Sequence, residues 1–173
     1  RVELTKLLVS KEAGRLRDAY KTGMTKYFLP ELDAAMQTEQ KNPHHIYTVG
    51  EHSICGIELM NCFFGITSDK KIYDKIPENV LETAKQLAAK MDKKQQTVLC
   101  MTMLLHDIAK PAVMTVDEKG IGHFIGHPAQ SEKMAKKIMR RLTFDNDSIL
   151  KACRLIRFHD YRMEDKSRAF RRA

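Results

Sequence analysis

The chain has 173 residues, of which 43% are hydrophobic and 30% charged, and it carries a formal net charge of +8. That length builds one compact core rather than two, and the composition is ordinary for a water-soluble domain. No apolar run approaches the ~18 residues of a membrane span, so a spanning helix is excluded and no membrane partner is expected.

Residues Val2 to Tyr20 place Leu4, Leu7, Leu8, Leu16 and Ala19 at helical spacing, which predicts one or two short amphipathic helices interrupted near Gly14. A turn at Gly23 leads to a helix with Pro30 and Glu31 in its first turn. In QKNPHHIYTVGEHS, Pro43 forces Asn42 away from helical geometry. Ile54, Ile57, Met60, Phe63 and Phe64 then predict a helix over 49–64, ended by Gly65. Residues 72–79 read as a loop around Pro77, and 80–90 as a helix through Leu81, Ala84, Leu87 and Ala88. The most apolar segment is QQTVLCMTMLLHD; with few β-branched residues and no alternation it reads as a core helix, broken by Pro111.

Three glycines make VMTVDEKGIGHFIGHPAQS a loop or small hairpin. Pro128 suits the first turn of the next helix, and Asp145 or Asp147 could cap the last one, whose buried stripe includes Ile149, Ala152, Cys153 and Ile156. Outside the glycine-rich loop no strand is needed, so an all-α fold is expected.

The four cysteines, Cys55, Cys62, Cys100 and Cys153, lie in apolar helical patterns without a CxxC pair. They point to reduced core thiols in a cytoplasmic protein, and no signal-peptide pattern opens the chain. The sequence begins at Arg1 and stops within a basic, helix-like run, from which a fragment of a longer protein is expected. Lys133, Lys136, Lys137, Arg140 and Arg141 share one helix side opposite Met134, Ile138, Met139 and Leu142. That face is either a solvated exterior or a phosphate-contact surface for RNA, in which Lys133, Lys137, Arg140 and Arg141 are the candidates.

Histidines His44, His45, His52, His106, His123, His127 and His159 concentrate at element boundaries. A lone histidine is more often a satisfied core or surface group than a ligand. Here His52, His106 and His159 each stand at the end of a predicted buried helix, and His106 has Asp107 beside it. Imidazole with carboxylate suits a borderline divalent ion, and the lack of clustered thiolates argues against structural zinc. Such a site could activate water toward a phosphoester. Lys110 is either placed to neutralise phosphate or is a helix C-terminal lysine serving the macrodipole.

TVGEHS, LLHDIAKP, GHPAQS and RFHDYR, in this order, resemble the HD superfamily of metal-dependent phosphohydrolases. More narrowly, LPEL followed by QKNPHHIYTVGEHS, and GHFIGHPAQSEKMAKKIMRRLTF, resemble the region downstream of the catalytic head in bacterial CCA-adding tRNA nucleotidyltransferases and poly(A) polymerase-like proteins. The resemblance implies a helical neck-like segment over 1–38, an HD-domain bundle over 39–162 and the start of a basic C-terminal helix over 163–173. It implies metal ligation by His52, His106 and Asp107, with His127 and His159 as additional ligands, and phosphate contact by Lys110; Asp107 and Lys110 are the candidate catalytic residues. His45 matches a family histidine to which no role is assigned. The expected cofactor is a divalent ion: Mn²⁺, Ni²⁺, Fe²⁺, Co²⁺, Zn²⁺ or Mg²⁺.

Two departures stand out. Ala109 replaces the glycine of the family's HDIGKP, and the family's last metal aspartate lies on a later helix, beyond the FRRA segment; Asp160 is not its evident equivalent. The nucleotidyltransferase head, with its Gly-Ser signature and paired aspartates, is absent. The expected activity is phosphoester hydrolysis on tRNA or a nucleotide. The alternatives are a non-catalytic tRNA-binding module and a free-standing HD nucleotide phosphohydrolase.

Overall fold

The computed structural model describes residues 1–41, 46–68 and 76–161. His44, His45, the proposed loop at 72–75 and the basic terminal segment from 162 onward lie outside the described residues. The architecture is all-α, with one two-stranded hairpin in the glycine-rich loop.

The amino-terminal part is a string of short helices: α1 (Val2–Leu8), a 3-10 turn at Ala13–Arg15, α2 (Leu16–Lys21), α3 (Thr25–Phe28) and α4 (Pro30–Gln37). The turn falls at the interruption expected near Gly14, and Gly23 adopts φ +73° between α2 and α3. Leu4, Leu8, Leu16, Leu29 and Leu32 are buried and join the same apolar cluster as the later helices. Arg17 of α2 pairs with Glu51 and Glu58 of α5 (Val49–Phe63) at 2.8 and 2.9 Å, clipping this segment to the bundle.

Helix α5 starts where the Thr48 hydroxyl accepts from the Glu51 backbone N–H, and it is followed by Gly65 at φ +69°. The next helix, α6, spans Glu78–Ala88 and is largely exposed. Its successor, α7 (Lys93–Leu105), opens with a capping box: the Asp92 carboxylate accepts from Gln95 N–H while the Gln95 amide oxygen accepts from Asp92 N–H. Met101, Leu104 and Leu105 are fully buried, and α7 packs against both α5 and the last helix. Each such side chain is worth about 1.5–3 kcal/mol of burial.

One boundary differs from the sequence reading. Pro111 does not break α7, which already ends at Leu105 with His106 as its C-cap. The chain turns through Asp107 to Ala109, with Lys110 N–H donating to Asp107 C=O at 2.9 Å, and Pro111 lies in the first turn of a new helix, α8 (Lys110–Val113). Proline has no N–H to offer, and a first turn needs none at that position.

Strands β1 (Thr115–Val116) and β2 (Gly122–His123) pair antiparallel. Gly126, at φ +78°, then swings the chain into α9 (His127–Arg141), whose buried side carries Ser131, Ala135, Ile138 and Met139. Asp145 caps α10 (Asn146–Phe158) by accepting from Ser148 N–H at 3.0 Å. The closely packed α9 and α10 bring both their ends that carry histidines to the end of α7.

Candidate metal centre

Four histidines reach one carboxylate from four helix ends. His52 comes from the first turn of α5, His106 caps α7, His127 opens α9 and His159 caps α10. Asp107, 2% exposed, lies between them. Its Oδ2 is 3.2 Å from His106 Nε2 and 3.9 Å from His52 Nε2, while Oδ1 is 3.1 Å from His127 Nε2 and 3.4 Å from His159 Nε2. The rings of His52 and His106 are 5.3 Å apart, those of His106 and His159 5.0 Å, and those of His127 and His159 5.1 Å.

The opposite edge of three rings fixes their protons. His106 Nδ1 lies 2.8 Å from Met103 C=O, His127 Nδ1 2.8 Å from Phe124 C=O, and His159 Nδ1 2.7 Å from Ile156 C=O. A carbonyl only accepts, so each Nδ1 carries the hydrogen and each neutral ring turns an Nε2 lone pair inward. Without an added positive charge, these lone pairs face a carboxylate and, at 3.2 Å between His127 and His159, each other. In that state Asp107 Oδ1 is buried with no hydrogen-bond donor. A second proton on the rings or a cation among them relieves the repulsion.

The electrostatics agree in direction. Burial acts to raise the Asp107 pKa, yet His106, His127 and His159 outweigh it and hold the carboxyl well below the usual carboxylate range. Burial likewise acts to lower the His159 pKa, but Asp107, with the Ile156 carbonyl and Asp160, pushes it up. Asp107 is thus an anion, and it favours a positive charge on His159 beside it.

Among the described residues, two triads have ligand atoms within 4.8 Å of one another: His52, His106 and Asp107, and Asp107, His127 and His159. Asp107 belongs to both. A buried, donor-free carboxylate oxygen amid inward lone pairs, with no thiolate nearby, fits a borderline divalent ion.

Lys110 is 7% exposed and starts α8, so the C-terminal macrodipole reading does not apply to it. Its Nζ donates to Asp107 Oδ2 and to Gln40 Oε1, both at 2.8 Å, and lies 5.2 Å from the centre of the Phe124 ring. An ammonium has three hydrogens, so one is left for a ligand. A cavity of about 780 Å³ opens here, lined by the cluster together with Lys110, His123, Ile125 and Asp160.

Sequence reasoning missed the supporting residues. Gln40, 2% exposed, accepts from Lys110 and donates its amide to Tyr47 C=O at 3.3 Å, and nothing in its polar sequence context signals this. Ser131 accepts from Ala109 N–H at 3.1 Å; its place one helical turn after His127 was the available cue. Ala109 has φ −91° and ψ −8°, a right-handed conformation that alanine adopts as readily as the family's glycine. Of the candidate RNA contacts, Lys133, Lys137, Arg140 and Arg141 are all exposed on α9, but the Arg141 guanidinium is engaged by Glu31 at 2.7 and 2.8 Å.

Residues 77–172, more than half the chain, match the HD domain family model. The chain belongs to the HD domain family. Residues 1–36 match a second model, described as "Probable RNA and SrmB- binding site of polymerase A". The HD match begins after α5, so His52 joins the cluster from outside the matched segment. A CC-adding tRNA nucleotidyltransferase of Thermus thermophilus is 27% identical over 172 residues, covering 98% of this chain and 33% of that protein. A bifunctional uridylyltransferase/uridylyl-removing enzyme of Nitrobacter hamburgensis is 28% identical over 130 residues, covering 75% of this chain and 12% of that protein. The HD chain thus spans a third or less of the length of these curated relatives. No solved structure matches it.

Proposed function

We propose that His52, His106, Asp107, His127 and His159 hold one or two divalent ions and that the site hydrolyses a phosphoester of an RNA end or nucleotide. The observation that carries this reading is the convergence of inward Nε2 lone pairs on the donor-free Oδ1 of a buried aspartate. A divalent ion there would supply Lewis-acid polarisation of a phosphoryl oxygen and acidify water. Asp107 would serve both triads, and the backbone carbonyls of Met103, Phe124 and Ile156 would keep three imidazoles in the ligating tautomer. The remaining Lys110 hydrogen would bind a phosphate oxygen, while Gln40 and Asp107 hold the ammonium in place.

In this reading the chain forms the neck and HD parts of a tRNA nucleotidyltransferase-type protein. The supports are the match of residues 1–36 and the similarity along 98% of the chain to the Thermus enzyme. The purified protein loaded with Mn²⁺ or Ni²⁺ is tested on 2′,3′-cyclic nucleotides, 2′-nucleotides and RNA ending in a cyclic phosphate. Turnover lost on chelation and restored by metal is the expected outcome. Metal bound at stoichiometry without turnover on any of them would instead favour the non-catalytic RNA-binding module, for which the basic face of α9 is the relevant observation.

A further inference from the structure

Resting on that reading, we propose that the groove between α7 and α10 is a nucleobase subsite of the metal centre. The substrate class this selects is a nucleoside phosphate, free or at the end of a strand, whose base enters the groove while its phosphate meets Lys110.

Helices α7 and α10 run side by side in the same direction. At their amino-terminal ends Lys94 Nζ meets the Asp145 and Asp147 carboxylates at 3.0 and 3.3 Å, and at their other ends the rings of the two caps, His106 and His159, are 5.0 Å apart. Between them lies a cavity of about 660 Å³, a size suited to a small organic ligand. Met91, Val98, Leu99 and Thr102 line its α7 side, and Leu155 and Phe158 its α10 side. His159 lines this groove and also the cavity of the metal centre, so one imidazole is the common wall of the two. Thr102 lies ~6 Å before His106 along the α7 axis, and Phe158 is the residue before His159, so the apolar groove ends where the polar cavity with Lys110 and Asp107 begins.

The walls have the chemistry of a base site. Phe158 is 39% exposed and Leu155 44%, although Ala152 and Ile156 of the same helix are fully buried. The Phe158 ring is met by Tyr161 at 80°, with 6.4 Å between centres. An aromatic face beside aliphatic walls accepts a planar heterocycle, whichever base it is. Two lining residues supply an edge. The Gln95 amide oxygen is engaged by Asp92 N–H, which leaves the amide hydrogens as donors, and the Thr102 hydroxyl donates to Val98 C=O at 2.9 Å, which leaves its oxygen as an acceptor. An alkyl chain in the groove would strip water from both groups and replace neither bond. An acidic peptide has little to hold it, because Lys94 and Lys151 are paired with Asp145 and Asp147 at the far end. A second copy of the chain would bring another net charge of +8 against the first.

The test uses the full chain with Ni²⁺, titrated by calorimetry with three probes: adenosine 2′-phosphorothioate, which resists hydrolysis, a tetranucleotide ending in the same group, and inorganic thiophosphate, which has no base. Wild type is expected to bind the nucleoside probe at least about tenfold more tightly than thiophosphate. Phe158→Ala is expected to weaken nucleoside binding roughly five- to hundred-fold, Phe158→Tyr to restore it, and Leu155→Gln to weaken it by a smaller factor. Thiophosphate affinity and nickel stoichiometry stay at wild-type values throughout, which a mere disturbance of His159 would not allow. A loss seen with the mononucleotide assigns the groove to a free nucleotide, and a loss confined to the tetranucleotide assigns it to a strand end. Equal wild-type affinity for the nucleoside probe and thiophosphate, or nucleoside binding that Phe158→Ala and Leu155→Gln leave as it was, overturns the subsite while nickel uptake keeps the metal reading standing. Absence of nickel uptake by wild type removes both. A wild-type dimer in sedimentation that Leu155→Gln dissociates would give the groove to a second copy and overturn the subsite alone.

Discussion

Replacing Asp107 with asparagine removes the one charge that every member of the cluster faces while keeping the shape of the side chain. At 2.8 Å from Lys110 Nζ, with both groups buried, the carboxylate attracts the ammonium by ~6 kcal/mol at an effective dielectric constant of about 20. Desolvation offsets part of this, and removing one partner of such a pair leaves a net loss of ~3–5 kcal/mol, since the remaining charge stays buried. Gln40 still accepts one Lys110 hydrogen, which places D107N toward the lower end. Urea unfolding of chelated wild type and D107N measures this directly. Repeating it with Ni²⁺ separates the two roles: ligand at 100 times Kd stabilises the native state by ~2.7 kcal/mol, a gain expected in wild type and absent from D107N. If D107N gained as much from nickel as wild type, Asp107 would not be the shared ligand and the site argument would fail.

Nickel affinity should fall as pH is lowered, because protons compete for the inward nitrogens and Asp107 favours the protonated form of His159, and calorimetry in buffers of different ionisation enthalpy should show proton release on binding. A second pH effect sits at the surface: burial acts to raise the Glu31 pKa, but Arg141 and a backbone hydrogen bond bring it below 4.5. A carboxyl depressed in the folded state stabilises above its unfolded pKa and loses that contribution as pH falls through the folded one. The stability difference between wild type and E31Q should therefore be constant at neutral pH and shrink below about pH 4.5 in denaturation curves. Gly50→Ala would place a Cβ 2.8 Å from the Met36 backbone nitrogen and 2.5 Å from its sulfur. Helices α4 and α5 must then separate, and a loss of about 1–3 kcal/mol is expected by urea unfolding. Unchanged stability would mean that the two helices are not held in this contact.

Much of the fold was legible because its determinants are local. The Asp145 cap, Gly65 and the apolar spacing of α5, α7 and α10 act within a few residues of where they occur, whereas the equally local Asp92 capping box went unread. The end of α7 is not set by its proline: the turn is already closed by Asp107 and Lys110 and by the contact of Ala109 with Ser131, before Pro111 is reached. Within the centre, His52, His106 and His159 are suggested by position at helix ends and His127 only by the family resemblance, but periodicity says nothing about which ends meet. That placement rests on long-range packing of α5, α7, α9 and α10. Gln40 and the engagement of Arg141 by Glu31 were invisible for the same reason: their partners are far away in sequence.

The X-ray absorption spectrum of the nickel-loaded chain tests the centre most directly. The account predicts stoichiometric uptake with outer-shell scattering from two or more imidazoles around the ion, diminished when His106 or His127 is replaced. A shell of water and carboxylate oxygens alone, or no stoichiometric uptake near neutral pH, would contradict it.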